Sequence, residues 1–405
     1  MRDAKLSSWL IWLTAGTFYL FEFIHRVIIS VMIPELMESF NVSVANLGNL
    51  SACYFYAYAL AQIPVGLLLD RFGERLLLSL ACVMIAFGSF VFSVTNNMHM
   101  AELCRVFIGL GSAFAFVGCL KLGSIWFPAH KFAFIVGLTN LLGVTGAVLG
   151  GKPMAHAVDA FGWRDVMFAS GVVGLILTIM LLSIVRDSNL NLSSKKKTKQ
   201  NFNLWAKILI VLKCKQTWLV AAFGGFMVAP IATYSELWGV SYLVNTYHVD
   251  RPTAAQITTL TFIGIAIGGP SIGWLSDYLR VRKLPMLIGT LGALCSIATI
   301  LFIEFLPFWA LNVLHVAFGF FTSSMLLCFS LSSEFAPPKI RATSIALTNS
   351  IIMAMGALLQ TISGLLLDLS NTNYNISFAP LMICYIMALA CFYFIHETNC
   401  HRAKV

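Results

Sequence analysis

The chain has 405 residues, of which 59% are hydrophobic and only 11% charged, with a formal net charge of +9. Soluble domains carry roughly a quarter charged residues, so this composition excludes a soluble domain. No P-loop, nucleophile elbow, dinucleotide fingerprint or metal-ligand spacing is present, which speaks against an enzyme, a metal site and a self-sufficient ATP-driven pump.

About 20 apolar residues cross the hydrocarbon core of a bilayer. Twelve such stretches are predicted, at roughly 9–33, 45–69, 76–96, 99–124, 132–157, 166–185, 217–245, 254–276, 284–304, 308–333, 342–367 and 376–396. They predict an all-α polytopic membrane protein. The first stretch is too long for a cleavable signal peptide, lacks a small-residue cleavage site and runs straight into Glu35 and Glu38.

Taken in chain order, span one carries Tyr19, Glu22, His25 and Arg26, the last three on one face at i, i+3 and i+4. Between spans two and three lies Gly66-Leu-Leu-Leu-Asp70-Arg71-Phe-Gly73-Glu-Arg75. Span four carries Arg105 and, four residues on, Gly109. After span six, 186–215 is polar and lysine-rich and buries too little apolar surface to fold alone. It is expected to be a cytosolic linker that closes with an interfacial helix from Leu204 to Leu212. Span seven carries Glu236 between Tyr234 and Trp238.

The second half then repeats the first. Gly273-Trp-Leu-Ser-Asp277-Tyr-Leu-Arg280-Val-Arg282-Lys283 answers the earlier loop, with the two aspartates 207 residues apart. His315 and Gly319 in span ten follow Arg105 and Gly109 by 210 residues, and Pro338 and Arg341 follow Pro128 and Lys131 by the same interval. This repeat predicts two pseudo-symmetric six-helix bundles, 1–185 and 216–405. Parallel repeats of this kind place a transport site near the midplane between the halves.

Orientation follows from lysine and arginine. With a cytosolic N-terminus, twenty fall in inner loops and tails, whereas only Lys152, Arg164 and Arg251 fall outside. Both termini are therefore expected in the cytosol. The net charge then reflects topology and attraction to anionic membrane lipid rather than nucleic-acid binding. The ten cysteines contain no CxxC pair and mostly sit within apolar spans, as packing residues.

An ionisable side chain inside a transmembrane helix costs roughly 2.5–3.5 kcal/mol on insertion scales and marks a functional candidate. Arg26, Arg105, Glu236 and His315 are predicted to share one layer slightly outside the midplane. Arg26 suits a substrate carboxylate because its planar fork grips with two hydrogen bonds; Glu22, one turn earlier, would pair with it in the empty site. Arg105 is a second candidate for the anion, with Glu102 as an alternative local partner. Glu236 is the first candidate to bind a substrate amine or carry a proton, and Glu22 the second. Tyr19, His25 and His315 complete the expected substrate-binding set. Lys121 lies too far from Arg105 to share its site and is expected to be structural.

These motifs carry a resemblance. The runs at 66–75 and 273–283, together with Arg105-x-x-x-Gly109-x-Gly111, Trp126-Phe127-Pro128 and Glu334-Phe-Ala-Pro337-Pro338-x-x-Arg341, resemble the signatures of major facilitator superfamily transporters over essentially the whole chain. The resemblance implies alternating access about a site lined by helices one, four, seven and ten. It also implies a cytosolic latch made by Gly66, Asp70, Arg71, Arg75, Gly273, Asp277, Arg280, Arg282, Glu334 and Arg341, with the arginines pairing across the bundle interface. Tyr19, His25, Arg26, Pro34 and Arg105 more distantly resemble organic anion:cation symporters. That subfamily has an acidic residue before the helix-one arginine and a glutamate seven residues after the helix-four arginine, where this chain has His25 and Ser112. Helix five reads Gly143-Val-Thr-Gly146-Ala147, without the Gly-Pro pair of drug:proton antiporters.

The expected function is proton-coupled uptake of a small carboxylate-bearing solute, an organic anion or amino acid, across a bacterial inner membrane. The protein is expected to act as a monomer without a cofactor, driven by the proton gradient. An exporter of a metabolite, a siderophore-like chelator or a drug is the alternative on the same fold, and a non-transporting membrane sensor a remote one.

Overall fold

A computed structural model describes residues 6–127, 132–186, 212–303, 306–336, 341–370 and 373–398. Within these residues the chain is helical throughout, with no strand. Backbone polar groups in hydrocarbon have no water to bond, and a helix satisfies them within one segment. The helices are α1 (Leu6–Val27), α2 (Ile33–Phe40), α3 (Val44–Phe72), α4 (Glu74–Val94), α5 (Met98–Trp126), α6 (Phe132–Gly150), α7 (Lys152–Phe161) and α8 (Trp163–Ile184). The second half contributes α9 (Lys215–Thr233), α10 (Gly239–Tyr247), α11 (Arg251–Leu279), α12 (Lys283–Phe302), α13 (Phe308–Thr322), α14 (Leu327–Phe335), α15 (Arg341–Leu369), α16 (Tyr374–Ser377) and α17 (Ala379–Phe394).

Among the described residues, nine helices or unbroken helical runs are long and apolar enough to cross a membrane. The long helices α1, α3 and α6 occupy the positions of the other three predicted spans. Several spans are broken where the sequence demands it. A 3-10 turn at Ile28–Val31 separates α1 from α2, whose first turn takes Pro34 in place of a donor. Pro230 interrupts the ladder of α9, and a π-helical turn, Tyr234–Trp238, joins it to α10. Side-chain caps start other helices. Asn97 accepts from the backbone of His99 and Met100 at 2.9 and 3.3 Å, and Asp250 from that of Thr253 at 3.2 Å. The expected linker lies outside the described residues from 187 to 211, as do its interfacial helix to 211 and the pair Pro128 and Pro338.

In the first half α1 packs on α5, α6 and α8, α4 on α5 and α8, and α3 on α5. In the second, α9 packs on α15 and α17, α11 on α13, and α12 on α13 and α17. The halves meet chiefly where α3 runs along α15 and where α11 lies on α6 and α7. The sequence repeat has a physical cause here. A Cβ on Gly109 would stand 2.2 Å from the Tyr54 carbonyl oxygen, and one on Gly319 would stand 1.8 Å from that of Thr261. Each glycine thus lets its helix rest on the backbone of a neighbour, α5 on α3 and α13 on α11. Gly319→Ala is expected to cost about 1–3 kcal/mol or more by overpacking, read as a lower Tm of the purified protein. An unchanged Tm would show that α11 and α13 part freely.

Candidate functional site

The centre of the molecule holds one ion pair between the halves. Arg26, near the end of α1, donates from Nε to Glu236 Oε1 at 3.0 Å. Both are buried, Arg26 8% and Glu236 2% exposed. Glu236 stands in the π-helical turn, a local widening that often marks a functional position. The guanidinium lies 5.2 Å from the ring centres of Phe23 and Phe55, and its Nη2 is 3.8 Å from Met353 Sδ of α15. The second carboxylate oxygen of Glu236 has no hydrogen-bond partner among the described residues.

The expected Glu22–Arg26 pair is not formed. Glu22 instead accepts a short hydrogen bond from Tyr54 of α3, and Arg26 turns to the opposite half of the chain. An i, i+4 pair on one helix is a weak constraint of ~0.2–0.5 kcal/mol, and a buried carboxylate is satisfied as well by a tyrosine hydroxyl. Arg105 is not tied to Glu102, which pairs with His99 at 3.2 Å. It is fully buried. Its Nη1 donates to the His25 carbonyl at 2.8 Å, and its guanidinium carbon sits 4.8 Å from the Tyr54 ring centre. Its Nε and Nη2 have no hydrogen-bond partner among the described residues, so this buried cation has unused donors.

The histidines face elsewhere. His25 places Nδ1 3.0 Å from the Phe21 carbonyl and Nε2 2.9 Å from the hydroxyls of Ser89 and Ser170. Its ring therefore points to α4 and α8, away from Glu236. His315 bonds the Leu311 carbonyl at 2.7 Å and the Tyr234 hydroxyl at 3.2 Å, two residues before Glu236. Tyr19 is buried, its ring 5.2 Å from that of Phe23 and 5.3 Å from that of Phe116. The four predicted charged or titratable residues are thus linked through neighbours, but of these only Arg26 and Glu236 bond each other directly.

Tyr54 and Met353 also touch this layer, and no sequence signal separates them from packing residues. Gln360 had one, as a polar group in an apolar span; its Nε2 donates to the Ala232 carbonyl at 2.7 Å and fastens α15 beside the π turn. The apolar concavity of about 540 Å³ lined by Pro270, Trp274, Pro285 and Phe320 includes none of these residues.

At the end carrying the repeated loops, Arg282 bonds Asp277 at 2.7 Å and Glu334 at 2.8 Å, and Ser276 at 3.0 Å. These partners all belong to the second half, so the bonds shown for Arg282 are not the expected bridge across the interface. Glu397, after α17, accepts from the backbone of Arg282 and Lys283 at 3.0 and 2.7 Å, and Thr398 donates to Glu334 at 2.6 Å. Such a carboxylate at a helix N-terminus is electrostatically favoured. Arg280 ends α11 in the left-handed region with φ 56°, and Arg75 is exposed in the first turn of α4. The side chains of Asp70, Arg71 and Arg341 lie outside the described residues. Lys121 reaches the buried Glu74 at 2.7 Å, in keeping with its structural reading.

Opposite the loops, a Cβ on Gly48 of α3 would lie 2.8 Å from the Gln360 carbonyl of α15, and one on Gly364 would lie 3.3 Å from Gly48 Cα. At the loop end, no described atom lies within 4 Å of a Cβ built on Gly66 or Gly273.

Comparison with known proteins accords with this architecture. The sequence profile of the Major Facilitator Superfamily matches residues 11–242 and 237–403. A Bacillus subtilis protein described as an uncharacterized transporter, YybO, is 24% identical over 92% of this chain and 90% of its own length. The D-galactonate transporter of Escherichia coli O6:H1 is 24% identical over 91% and 89%, and the hexuronate transporter of Bacillus subtilis 24% over 64% and 61%. Among solved structures, the nucleoside transporter NupG superposes with TM-score 0.74 at 11% identity, covering 96% of this chain and 98% of that one. Long apolar helices, duplicated loops and a profile match along nearly the whole length lead to one conclusion: the chain is a multi-pass membrane transporter, not an enzyme, and belongs to the Major Facilitator Superfamily.

Proposed function

We propose that the protein is a proton-coupled importer of a small sugar acid in a bacterial inner membrane, working by alternating access. In this reading twelve spans form two six-helix bundles, 1–185 and 216–405, joined by a cytosolic linker at 186–215, with both termini in the cytosol. The transporter acts as a monomer in contact with membrane lipid and uses the proton gradient alone. The close approach of α3 and α15 at the outer end suits a state that faces the cytosol.

The observation that carries this reading is the Arg26–Glu236 pair, buried and made between the two halves. A substrate carboxylate offers Arg26 the same partner that Glu236 now supplies. When Glu236 takes up a proton it loses its charge, and the arginine is free for the substrate anion. Proton and anion therefore load together, and each is released when the other leaves. Arg105, whose Nε and Nη2 have no partner among the described residues, supplies further bonds to a carboxylate or to hydroxyls. Relatives described as a hexuronate transporter, a probable L-galactonate transporter and a probable galactarate/D-glucarate transporter turn the general carboxylate toward a sugar acid.

The test is uptake of radiolabelled D-galactonate and glucuronate into proteoliposomes with and without an inside-alkaline pH gradient. Accumulation driven by the gradient is expected. Uptake indifferent to the gradient would remove the proton coupling, and failure of every sugar acid to enter would remove the substrate class. Glu236→Gln, which mimics the protonated side chain, is expected to abolish pH-driven accumulation while leaving exchange of internal for external substrate. Persistent accumulation in that variant would move the proton to Glu22.

A further inference from the structure

Arg251 opens α11 at the end opposite the repeated loops. Its Nη1 lies 2.5 Å from Glu35 Oε1 and 3.1 Å from Asp159 Oδ1, and it donates to the Val31 carbonyl at 3.3 Å. Glu35 belongs to α2 and Asp159 to α7. One cation from the second half of the chain thus ties down two separate segments of the first. The arginine side chain is 21% exposed and the carboxylates 27% and 43%, so the cluster is screened less than pairs on an open surface.

The ground beneath it is tightly closed. A Cβ on Gly151, at the junction of α6 and α7, would stand 2.3 Å from Thr259 Oγ1 and 3.3 Å from the Ala255 carbonyl of α11. Beside it, Lys152 donates to Gln256 of α11 at 2.8 Å. Thr259 is 7% exposed under this cover. The titratable and charged groups that face Arg251 in these contacts are therefore Glu35 and Asp159, with Lys152 engaged by a neutral amide.

We propose that Arg251, held between Glu35 and Asp159, is the latch that keeps the outer end of the transporter shut, and that its release is a step of every transport cycle. The proposal rests on the orientation given above, which places this end outside. Rocking the halves apart there carries α11 away from α2 and α7 together, so both carboxylate contacts break in one motion. Partly exposed ion pairs are individually weak, and that weakness suits a latch that must open at each turnover. All three contacts are made by one nitrogen, Nη1, so a point charge in its place keeps the attraction.

The test uses Thr259→Cys as a reporter in membrane vesicles of both orientations, treated with a membrane-impermeant maleimide and corrected for the reactivity of the native cysteines. With Arg251→Gln added, the introduced thiol is expected to react about two- to thirty-fold faster from the outer face, the range that two partly exposed ion pairs give. Arg251→Lys keeps the charge and should react at close to the parent rate, which separates latch loss from a folding defect. The exchange of Arg251→Glu with Glu35→Arg, combined with Asp159→Asn so that the new carboxylate meets no like charge, restores one ion pair between the halves and should slow the labelling again. An unchanged rate in Arg251→Gln, or an acceleration that the exchange fails to reverse, would overturn the latch. Acceleration confined to reagent on the opposite face would uphold the latch and overturn the orientation.

Discussion

Arg26→Ala is expected to abolish sugar-acid uptake while leaving folded protein in the membrane. The reasoning starts from what the truncation leaves behind. Glu236 loses the partner it bonds at 3.0 Å and remains buried, and breaking a buried pair from one side costs about 3–5 kcal/mol. The carboxylate escapes most of that cost by taking a proton, so the helices stay packed, but the substrate anion has no cation to meet at this position. The double variant Arg26→Ala with Glu236→Ala removes the stranded acid. It should recover stability in a thermal melt and still fail to transport. Arg26→Lys keeps the charge without the fork, and a weaker substrate-induced Tm shift than in the parent is expected. Normal uptake in Arg26→Ala would end the case for a helix-one anion site. A double variant as unstable as the single one would show that the Arg26–Glu236 pair is not what the truncation breaks.

Gly48→Leu is expected to stop turnover by the opposite route, leaving the central site intact and holding the outer end open. The close approach of α3 to α15 has no room for a side chain: a Cβ would already lie 2.8 Å from the Gln360 carbonyl and 3.4 Å from Gly364 Cα. Overpacking of about 1–3 kcal/mol moves the closed-to-open ratio by roughly 5- to 150-fold. Binding from the outside should persist while net uptake and exchange both fall, since exchange also requires closure. Paired measurements of substrate-induced Tm shift and exchange rate check this. Exchange at the parent rate would mean that α3 and α15 do not need this contact to complete the cycle. The effect differs in kind from that of Glu236→Gln, which spares exchange, so the two variants separate gating from proton coupling.

Much of the molecule was legible before any helix was placed. Runs of about 20 apolar residues have one low-energy arrangement in hydrocarbon, and the second copy of Gly66–Arg75 at 273–283 announced a duplicated design. The glycines at 109 and 319 stood in that repeat because a side chain there would strike the backbone of a neighbouring helix. Gly48 and Gly364 carried no such mark, since close approach between the halves depends on which state the transporter occupies.

The site divides the same way. Sequence alone named Arg26, Arg105, Glu236 and His315, because a charged or titratable group inside a membrane span is costly enough to stand out. It also predicted a common depth for them, since rise along a helix follows from residue count. What it could not set was rotation and partner. The spacing of Glu22 and Arg26 allowed a bond along α1, and only the packed structure turned Arg26 to Glu236 and left Glu22 to Tyr54. The π turn that carries Glu236, the ring of His25 turned to Ser89 and Ser170, and the grip of Arg251 on Glu35 and Asp159 were likewise decided between helices. Hydrophobicity and length are properties of one segment and can be read from it. A hydrogen bond between residues 210 positions apart belongs to neither segment, and exists only once the helices have packed.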